Sequence, residues 1–406
     1  MIDDAPLAHQ LAAQQQDRLR VLVVGAGVAG VALAQLLRRQ GLHPVLVDRV
    51  DVRAHPGYML ALMPGVDAAI RDLGAVDAYR AASTPLGGYR FRSHRGAEVR
   101  TDDLGELLNV HGDYRGISRG ALLDVLAGDG CPVSSPVTVA ALSRRAEMTR
   151  VRFDTGAEAE FHLVVGADGM RSRMRELLLP GEVQRVRTGW SGWVAWADDA
   201  GDPTLGEELW GDGSFLGVYP VKDRLGVFLG GPDAALEAGP DAFVAQFRRR
   251  VPQRGERLDA ALEAVLADPA PYLWHLDDAR SPRWVLPGGV LLGDAAAGFL
   301  PTAGLGAGMA VESAWVLARI LDHADRDTLP RLLGAWEDAQ RPRIESAQAT
   351  SRTLARLMFR RGRLLALARE AVLRRMSVRA ALGPILRLLE DRPDPDAIAR
   401  AALAGR

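Results

Sequence analysis

Val21-Leu22-Val23-Val24-Gly25-Ala26-Gly27-Val28-Ala29-Gly30 decides the fold. Four apolar residues in a row, three of them β-branched, have the composition of a buried strand. They run directly into a G-x-G-x-x-G turn, and from 28 to 40 the apolar residues recur at helical spacing until Gly41 offers a stop. In such a turn Gly25 permits the tight bend, Gly27 lets a pyrophosphate approach the backbone, and Gly30 lets the helix pack close to the strand. Val28 and Ala29 open the helix, whose first N–H groups and positive dipole end suit a diphosphate. A second strand, 44–47, ends in Asp48-Arg49, near the roughly 20-residue offset at which an acid receives a ribose hydroxyl. The turn alone is a weak signal. Strand, turn, helix, second strand and terminal acid in this order predict a Rossmann-like dinucleotide-binding domain.

A chain of 406 residues can bury a large core and is expected to form two domains. It is 48% hydrophobic and 25% charged, the balance of an ordinary globular protein. A formal net charge of -1 argues against a nucleic-acid partner, which requires concentrated positive charge. The single cysteine, Cys131, excludes an internal disulfide and any Cys-rich metal site, and fits a reducing, cytoplasmic setting. Residues 1–18 are polar, carry no apolar h-region and read as a flexible tail. No stretch approaches the roughly 20 apolar residues of a membrane-spanning helix.

The rest divides by texture. Residues 19–84 form the first part of the dinucleotide domain, with 50–64 irregular and a short helix at 66–73. A strand-like excursion, 85–116, opens a second domain. The chain returns at 117–182 with a helix at 121–126, for which Ser118 is a candidate N-cap, and a buried strand, 161–165, that leads into Gly166-Ala167-Asp168-Gly169. Residues 183–285 are rich in Gly and Pro and contain Trp190, Trp193, Trp196, Trp210, Trp274 and Trp284. They read as a mostly antiparallel sheet with a 215–220/225–229 hairpin and one helix at 241–250. Trp190 and Trp196 fall on one strand face and Trp193 on the other. Such a sheet on a dinucleotide domain would leave an apolar pocket between them, for which Tyr58, Trp193, Trp196 and Tyr219 are candidate substrate contacts. Residues 286–328 return to the first domain through Gly293-Asp294 and a glycine-punctuated loop into a helix at 310–321. Residues 329–406 are C-terminal, with helix expected over 329–389.

Three separated segments together resemble the single-component FAD-dependent monooxygenases of the para-hydroxybenzoate hydroxylase type. The first is Gly25 to Gly30 with Asp48-Arg49. The second is Asp168-Gly169-Met170-Arg171-Ser172-Arg173-Met174-Arg175, and the third is Gly293-Asp294-Ala295-Ala296 with Pro301 and Gly304-Leu305-Gly306-Ala307-Gly308. Arg119 matches a position where the family often has an arginine near the flavin. The resemblance covers roughly residues 18–345 and implies an α/β fold, with a substrate sheet inserted into the FAD domain. It implies that Asp168 and Gly169 serve FAD and a transient NADPH or NADH. It also implies that Asp294 receives the ribityl chain and that the 304–308 loop meets the isoalloxazine ring. The implied activity is oxygenation of an apolar, aromatic or polycyclic small molecule by O2 through a flavin C4a-hydroperoxide, in a setting such as bacterial secondary metabolism. No side chain is assigned as catalytic, since the cofactor carries the hard chemistry.

Two positions depart from the family pattern: Ala297 stands where a His is common, and Leu305 where a Gln is common. They lean toward the related geranylgeranyl-reductase branch, which keeps the cofactor but needs no O2. A flavin-binding protein without catalysis is a third reading. No metal-spaced Cys/His cluster, H-E-x-x-H or G-x-S-x-G occurs. His55, His111 and His275 lie near expected loops, where a lone His is usually structural. Residues 341–380 hold eleven arginines against Glu345 and Glu370, with Leu354, Leu357, Met358, Leu364, Leu365, Ala368, Val372 and Met376 interleaved. Such a basic amphipathic stretch suits an anionic membrane or a partner. The expected arrangement is that it packs on its own domain and turns its arginines to solvent. Oligomeric state is not legible.

Overall fold

The computed structural model describes residues 1–50, 57–198 and 201–405. A five-stranded sheet runs in the order Val285–Leu286, Gly289–Leu291, Leu163–Gly166, Val21–Val24 and Val45–Val47. The last four are parallel, in register Val164 to Leu22 and Val23 to Leu46. Every residue of Leu163–Gly166, Val21–Val24 and Val45–Val47 is buried, because helices such as Val28–Arg39 and the three-stranded antiparallel sheet Val139–Arg145, Met148–Phe153 and Glu158–Phe161 pack against the sheet and leave no face for polar residues. From Val21–Val24 the chain steps to one side through the helix Val28–Arg39 and later returns to the other side as Leu163–Gly166. That reversal opens a crevice at the strands' carboxyl ends, where ligands of open α/β sheets bind.

The second sheet has eight strands, in the order Ala297–Gly298, Tyr272–Arg280, Gln184–Asp198, Arg224–Pro232, Phe215–Val221, Leu205–Trp210, Gly88–Arg92 and Glu98–Asp103. Its pairings are antiparallel except between Leu205–Trp210 and Gly88–Arg92. The predicted hairpin is present, closing on Val221 and Arg224 with Asp223 at φ +61°. Alternation sorts the side chains. Trp193, Ala195, Leu209, Leu216, Val218, Val227 and Leu229 form one cluster with Phe243, Phe247, Leu258 and Leu262 of the helices Gly239–Arg250 and Glu256–Ala267. Two main helices therefore cover this face, where the sequence suggested one.

Three further expectations are corrected. Residues 1–18 are not a loose tail: Ile2–Asp4 pairs in parallel with Cys131–Val133, and Leu7–Ala13 is a helix. Its Gln10 amide bridges the edge of the parallel sheet, accepting from Leu46 N at 2.9 Å and donating to Leu46 O at 3.0 Å. Residues 50–64 contain a strand, Met59–Leu62, antiparallel to Arg115–Ser118. Trp284 packs on Trp336 (ring centroids 5.6 Å apart) in the core of the first domain, not with the other tryptophans. At the C-terminus, Leu329–Met358 and Arg363–Arg375 are followed by the helices Gly383–Glu390 and Pro395–Ala404. Among the described residues no helix is long and apolar enough to cross a membrane.

Candidate active site

Four strand ends meet along one edge of the parallel sheet and bring the sequence motifs together. At Val21–Val24 the glycine turn is held by sterics. Gly25 has φ +109°, and a Cβ there would stand 2.4 Å from Ala167 O; a Cβ on Gly30 would stand 1.8 Å from Gly25 O. Gly27 differs, since a Cβ built there meets nothing within 4 Å. It begins the helix Val28–Arg39 with no side-chain cap, so open space lies against unoccupied helix N–H groups. Beside it, Asp48 Oδ2 accepts from Ala26 N at 2.7 Å and Oδ1 from Val50 N at 3.0 Å, which braces the turn and leaves each oxygen a lone pair. Arg49 is exposed next to it; His55 lies outside the described residues.

At the neighbouring strand end Asp168 is occupied by its own loop. Ser172 Oγ donates to Oδ1 and Met174 N to Oδ2 (2.9 Å), while Ser172 caps the helix Arg173–Leu178. Asp168 thus fixes the loop that carries Gly169, which has φ +77° and open space around it. Of the three arginines that follow, Arg171 and Arg173 are exposed and Arg175 is buried. The Arg175 guanidinium donates to Ala295 O at 3.0 Å and Met170 O at 2.6 Å, tying the second motif to the third. Its i,i+3 placement from Ser172, one turn beyond the cap, was the available clue to an inward side chain.

Asp294 follows Gly289–Leu291. It is surrounded by protein yet keeps some accessible surface. Burial pushes its carboxyl from 3.8 up to about 6, and the nearby positive charge of Arg175 offsets only part of that. Among the described residues no donor reaches its side-chain oxygens. Downstream, Pro301 begins one turn of tight helix, Gly304 sits at φ +62°, and the helix Gly306–Asp322 starts behind Leu305 without a side-chain cap. Gly306 and Ala307 keep accessible surface, while Gly308 is buried. Leu305 and Ala297 both point into the core, at 2% exposure each. Ala297 shares a small apolar space with Trp284, Phe299, Met309 and Trp336. The departure from His therefore lies behind the loop, where it removes no polar group from the site.

The strand Met59–Leu62 crosses between the two sheets. A Cβ on Gly304 would be 3.8 Å from Ala61, and one on Gly226 would be 2.4 Å from Met59 Cβ. Tyr58, at the head of this strand, accepts a hydrogen bond from the Arg119 side chain, lies near Asp294 and tilts against Trp274 (4.6 Å). Burial raises its hydroxyl to about 12, so it stays protonated. Arg119 N in turn donates to Tyr58 O at 2.9 Å. Tyr58, Arg119 and Asp294 thus form one group across three segments.

The sheet face turned toward this group is aromatic. Tyr89, Phe91, Trp196, Trp210, Phe215, Tyr219, Phe228 and Trp274 all lie on it, interspersed with Gly192, Gly206, Gly217, Gly226 and Gly230. The glycines let rings lie along the sheet. A Cβ on Gly192 would be 2.4 Å from the Phe228 ring, and one on Gly217 would be 2.6 Å from the Tyr219 ring. Trp196 is half-buried under Arg224, whose Cζ is 3.7 Å from its ring centroid. Trp193, expected as a substrate contact, is on the opposite face and packs edge-on against Phe243 at 5.6 Å; its odd position turns it into the helix layer. His275 faces Ser191 (2.8 Å), and His111 is at the outer surface.

The middle of the aromatic face holds one charge, Glu208, which the sequence reading missed. Its Oε2 accepts from Trp210 Nε1 at 2.7 Å, Oε1 from the Tyr219 hydroxyl, and the Tyr89 hydroxyl is a third partner. Burial pushes the Glu208 carboxyl upward although these donors pull it down. Both tyrosines are pushed well above their ordinary range by burial and by the Glu208 charge. Their protons are directed to Glu208, so each hydroxyl has only lone pairs left to offer. Glu-x-Trp (208–210) opposite Tyr219 is visible in the sequence only once the hairpin register is known. Among the described residues no group of acidic, His or Cys side chains could hold a metal.

The FAD binding domain family model matches residues 18–351. The chain is 30% identical to salicylate hydroxylase of Pseudomonas putida over 376 residues, covering 82% of this chain and 84% of that protein. It is 29% identical to the aurachin C monooxygenase/isomerase of Stigmatella aurantiaca over 88% of this chain and 94% of that protein. Among solved structures, Klebsiella pneumoniae HpxO complexed with FAD and uric acid superposes with a TM-score of 0.82 at 21% identity, over 94% of this chain and 99% of that chain. The glycine turn, the Asp-Gly loop and the Gly-Asp loop thus lie on one sheet edge, within a family match that spans most of the sequence. The chain belongs to the single-component FAD-dependent monooxygenases, the aromatic hydroxylases of the FAD binding domain family.

Proposed function

We propose that this chain uses FAD, NAD(P)H and O2 to hydroxylate a planar, uncharged aromatic substrate that carries a hydrogen-bond donor. The observation that carries this reading is the aromatic sheet face with its Glu208-pinned tyrosines, opposite Tyr58, Arg119 and Asp294. The residues fit the cofactor: Gly27 and the N–H groups of Val28, Ala29 and Gly30 form a cradle for a diphosphate, and Gly25 shapes the turn. Asp48 has lone pairs for a ribose hydroxyl, with Arg49 beside it. Asp294, enclosed and with no donor on its side chain among the described residues, is suited to ribityl hydroxyls. Pro301, Gly304, Leu305, Gly306, Ala307 and Gly308 would present a helix N-terminus to the electron-rich edge of the ring. Gly293 sets the turn before Asp294, while Asp168 and Gly169 position the loop between them.

Bound FAD, once reduced by NAD(P)H, would supply an electrophilic oxygen from O2. One oxygen atom enters a substrate C–H bond, the other leaves as water, and NAD(P)H provides the two electrons. The chain's own part is to exclude water and hold the substrate flat. A phenol, aniline or ring N–H finds acceptors at Tyr89 and Tyr219, which raises electron density in the ring. A carboxylate would face the Glu208 charge in a low-dielectric setting, where like charges repel strongly. The relatives' printed activities are oxygenations, which favours this reading over a reductase.

NAD(P)H oxidation and O2 uptake should be followed together with a panel of neutral phenols and hydroxyquinolines and with their carboxylated analogues. The proposal expects neutral donors to stimulate both rates in parallel. Substrate-dependent NAD(P)H oxidation that proceeds without O2 would replace it with the reductase reading.

A further inference from the structure

The helix Arg363–Arg375 is docked inside out. Its inward face is Ala366, Arg369, Glu370 and Leu373. Arg369 is buried and donates to Trp210 O and to Gly211 O (3.2 Å), with its guanidinium 5.7 Å from the Trp210 ring. Buried Glu370 accepts from His94 N and faces His94 Nδ1, both at 2.7 Å. Two charged residues therefore share the docking face with Ala366 and Leu373, and four larger aliphatic ones are left outside: Leu364 is 83% exposed, Val372 59%, Leu367 52% and Leu365 47%. At 3.6 residues per turn these four, with Ala368 and Ala371, occupy a continuous arc of roughly 160°. On the preceding helix Leu357 is 39% exposed as well.

Positive charge surrounds this arc. Arg356, Arg360, Arg361 and Arg363 stand exposed at its start, and Arg374, Arg375 and Arg379 at its end. None forms an ion pair among the described residues, and from 356 to 380 the one acid is the buried Glu370. The other arginines of this region turn inward: Arg343 forms a two-pronged pair with Glu312 (2.6 and 3.0 Å), and Arg352 another with Asp278 (2.6 and 2.9 Å). The outward seven are thus left over from the structural pairing.

We propose that this face docks on an anionic lipid surface, its leucines and valine entering the headgroup boundary and its arginines meeting the phosphates. Exposed aliphatics flanked by cations are the pattern of an interfacial helix, and the acids beside the helix are already engaged: Glu370 with His94, Asp212 with Gly362 N and Asp102 with Arg100. A second copy of the chain is a poor occupant, since a symmetric pairing would set seven arginines against seven. The same helix lies directly on Trp210 of the aromatic sheet face, so lipid contact would occur one layer from the substrate floor.

The test is co-sedimentation of the holoenzyme with phosphatidylcholine vesicles, with and without phosphatidylglycerol. The expected results are binding to the anionic vesicles only and release at high salt. The exposed double substitution Leu364→Glu/Leu367→Glu should abolish binding, and Arg374→Gln/Arg375→Gln should weaken it roughly tenfold or more. Flavin content and melting temperature should be unchanged in both variants. Absence of binding to anionic vesicles overturns the proposal, as does binding that survives Leu364→Glu/Leu367→Glu. A concentration-dependent dimer dispersed by that substitution, with no vesicle binding, would assign the face to a second copy instead.

Discussion

Replacing Asp294 by Asn should stabilise the protein without cofactor and weaken its hold on FAD. The carboxyl is raised from 3.8 to about 6 by burial, which the nearby Arg175 charge only partly offsets. A raised acid pKa costs folding energy wherever the unfolded chain ionises and the folded one resists. The cost is absent below about pH 4, grows through the interval up to about pH 6, and is complete above it. A shift of about two units corresponds to roughly 3 kcal/mol, an upper bound for the gain from Asp294→Asn at neutral pH. FAD binding should move the other way. A ribityl hydroxyl donating to an ionised carboxylate contributes about 1.5–3 kcal/mol against about 0.5–1.5 kcal/mol for the neutral amide oxygen, so the variant should bind FAD roughly five- to tenfold more weakly. Because the ionised form is the stronger acceptor, wild-type affinity should fall as pH drops below about 6, and the variant's should stay flat. Denaturant melts of apoprotein and flavin-fluorescence titrations across that range measure both effects. An Asn variant less stable than wild type at neutral pH, or one that binds FAD equally well, would refute the reasoning.

Three further outcomes follow from the geometry. Gly27→Val adds a side chain where the protein has nothing within 4 Å, so the apoprotein melt should move by less than about 0.5 kcal/mol. FAD affinity should nevertheless fall at least about tenfold, because the added methyls enter the proposed diphosphate cradle, as a titration would show. Glu208→Gln would supply a donor to one tyrosine and release that tyrosine's proton toward the cavity. KM for neutral phenols should rise roughly tenfold while carboxylated analogues gain, with flavin content unchanged. Arg352→Ala would leave Asp278 buried and unpaired, and a chemical melt should record a loss of about 3–5 kcal/mol.

The cofactor half of the molecule was legible because its constraints are local. Gly25 is required by its own φ of +109° and Gly30 by the Gly25 carbonyl five residues away, and the strands on either side are read from short, wholly apolar runs rich in valine. The substrate half is set by register. Whether Trp193 or Trp196 faces the site depends on strand parity and on which face the helices cover, and the second covering helix was not anticipated. Glu208 acquires its role from Tyr89 and Tyr219, which lie on two other strands. The N-terminal residues read as a tail because their partners, Cys131–Val133 and Leu46, are remote in sequence. For the Arg-rich stretch, most of the arginines face solvent as expected, but the leucines of the helix Arg363–Arg375 face outward as well, for the same reason. Periodicity places its leucines on one arc, but the contacts of Arg369 with Trp210 and of Glu370 with His94 decide which arc is inside.

The most direct test of the account is turnover of a neutral phenolic substrate with NAD(P)H under oxygen gas labelled with the heavy isotope, followed by mass spectrometry of the product. The account predicts one labelled oxygen atom in each product molecule, with NAD(P)H and O2 consumed in equal amounts. A product that gains hydrogen, or one whose added oxygen comes from water, would contradict it.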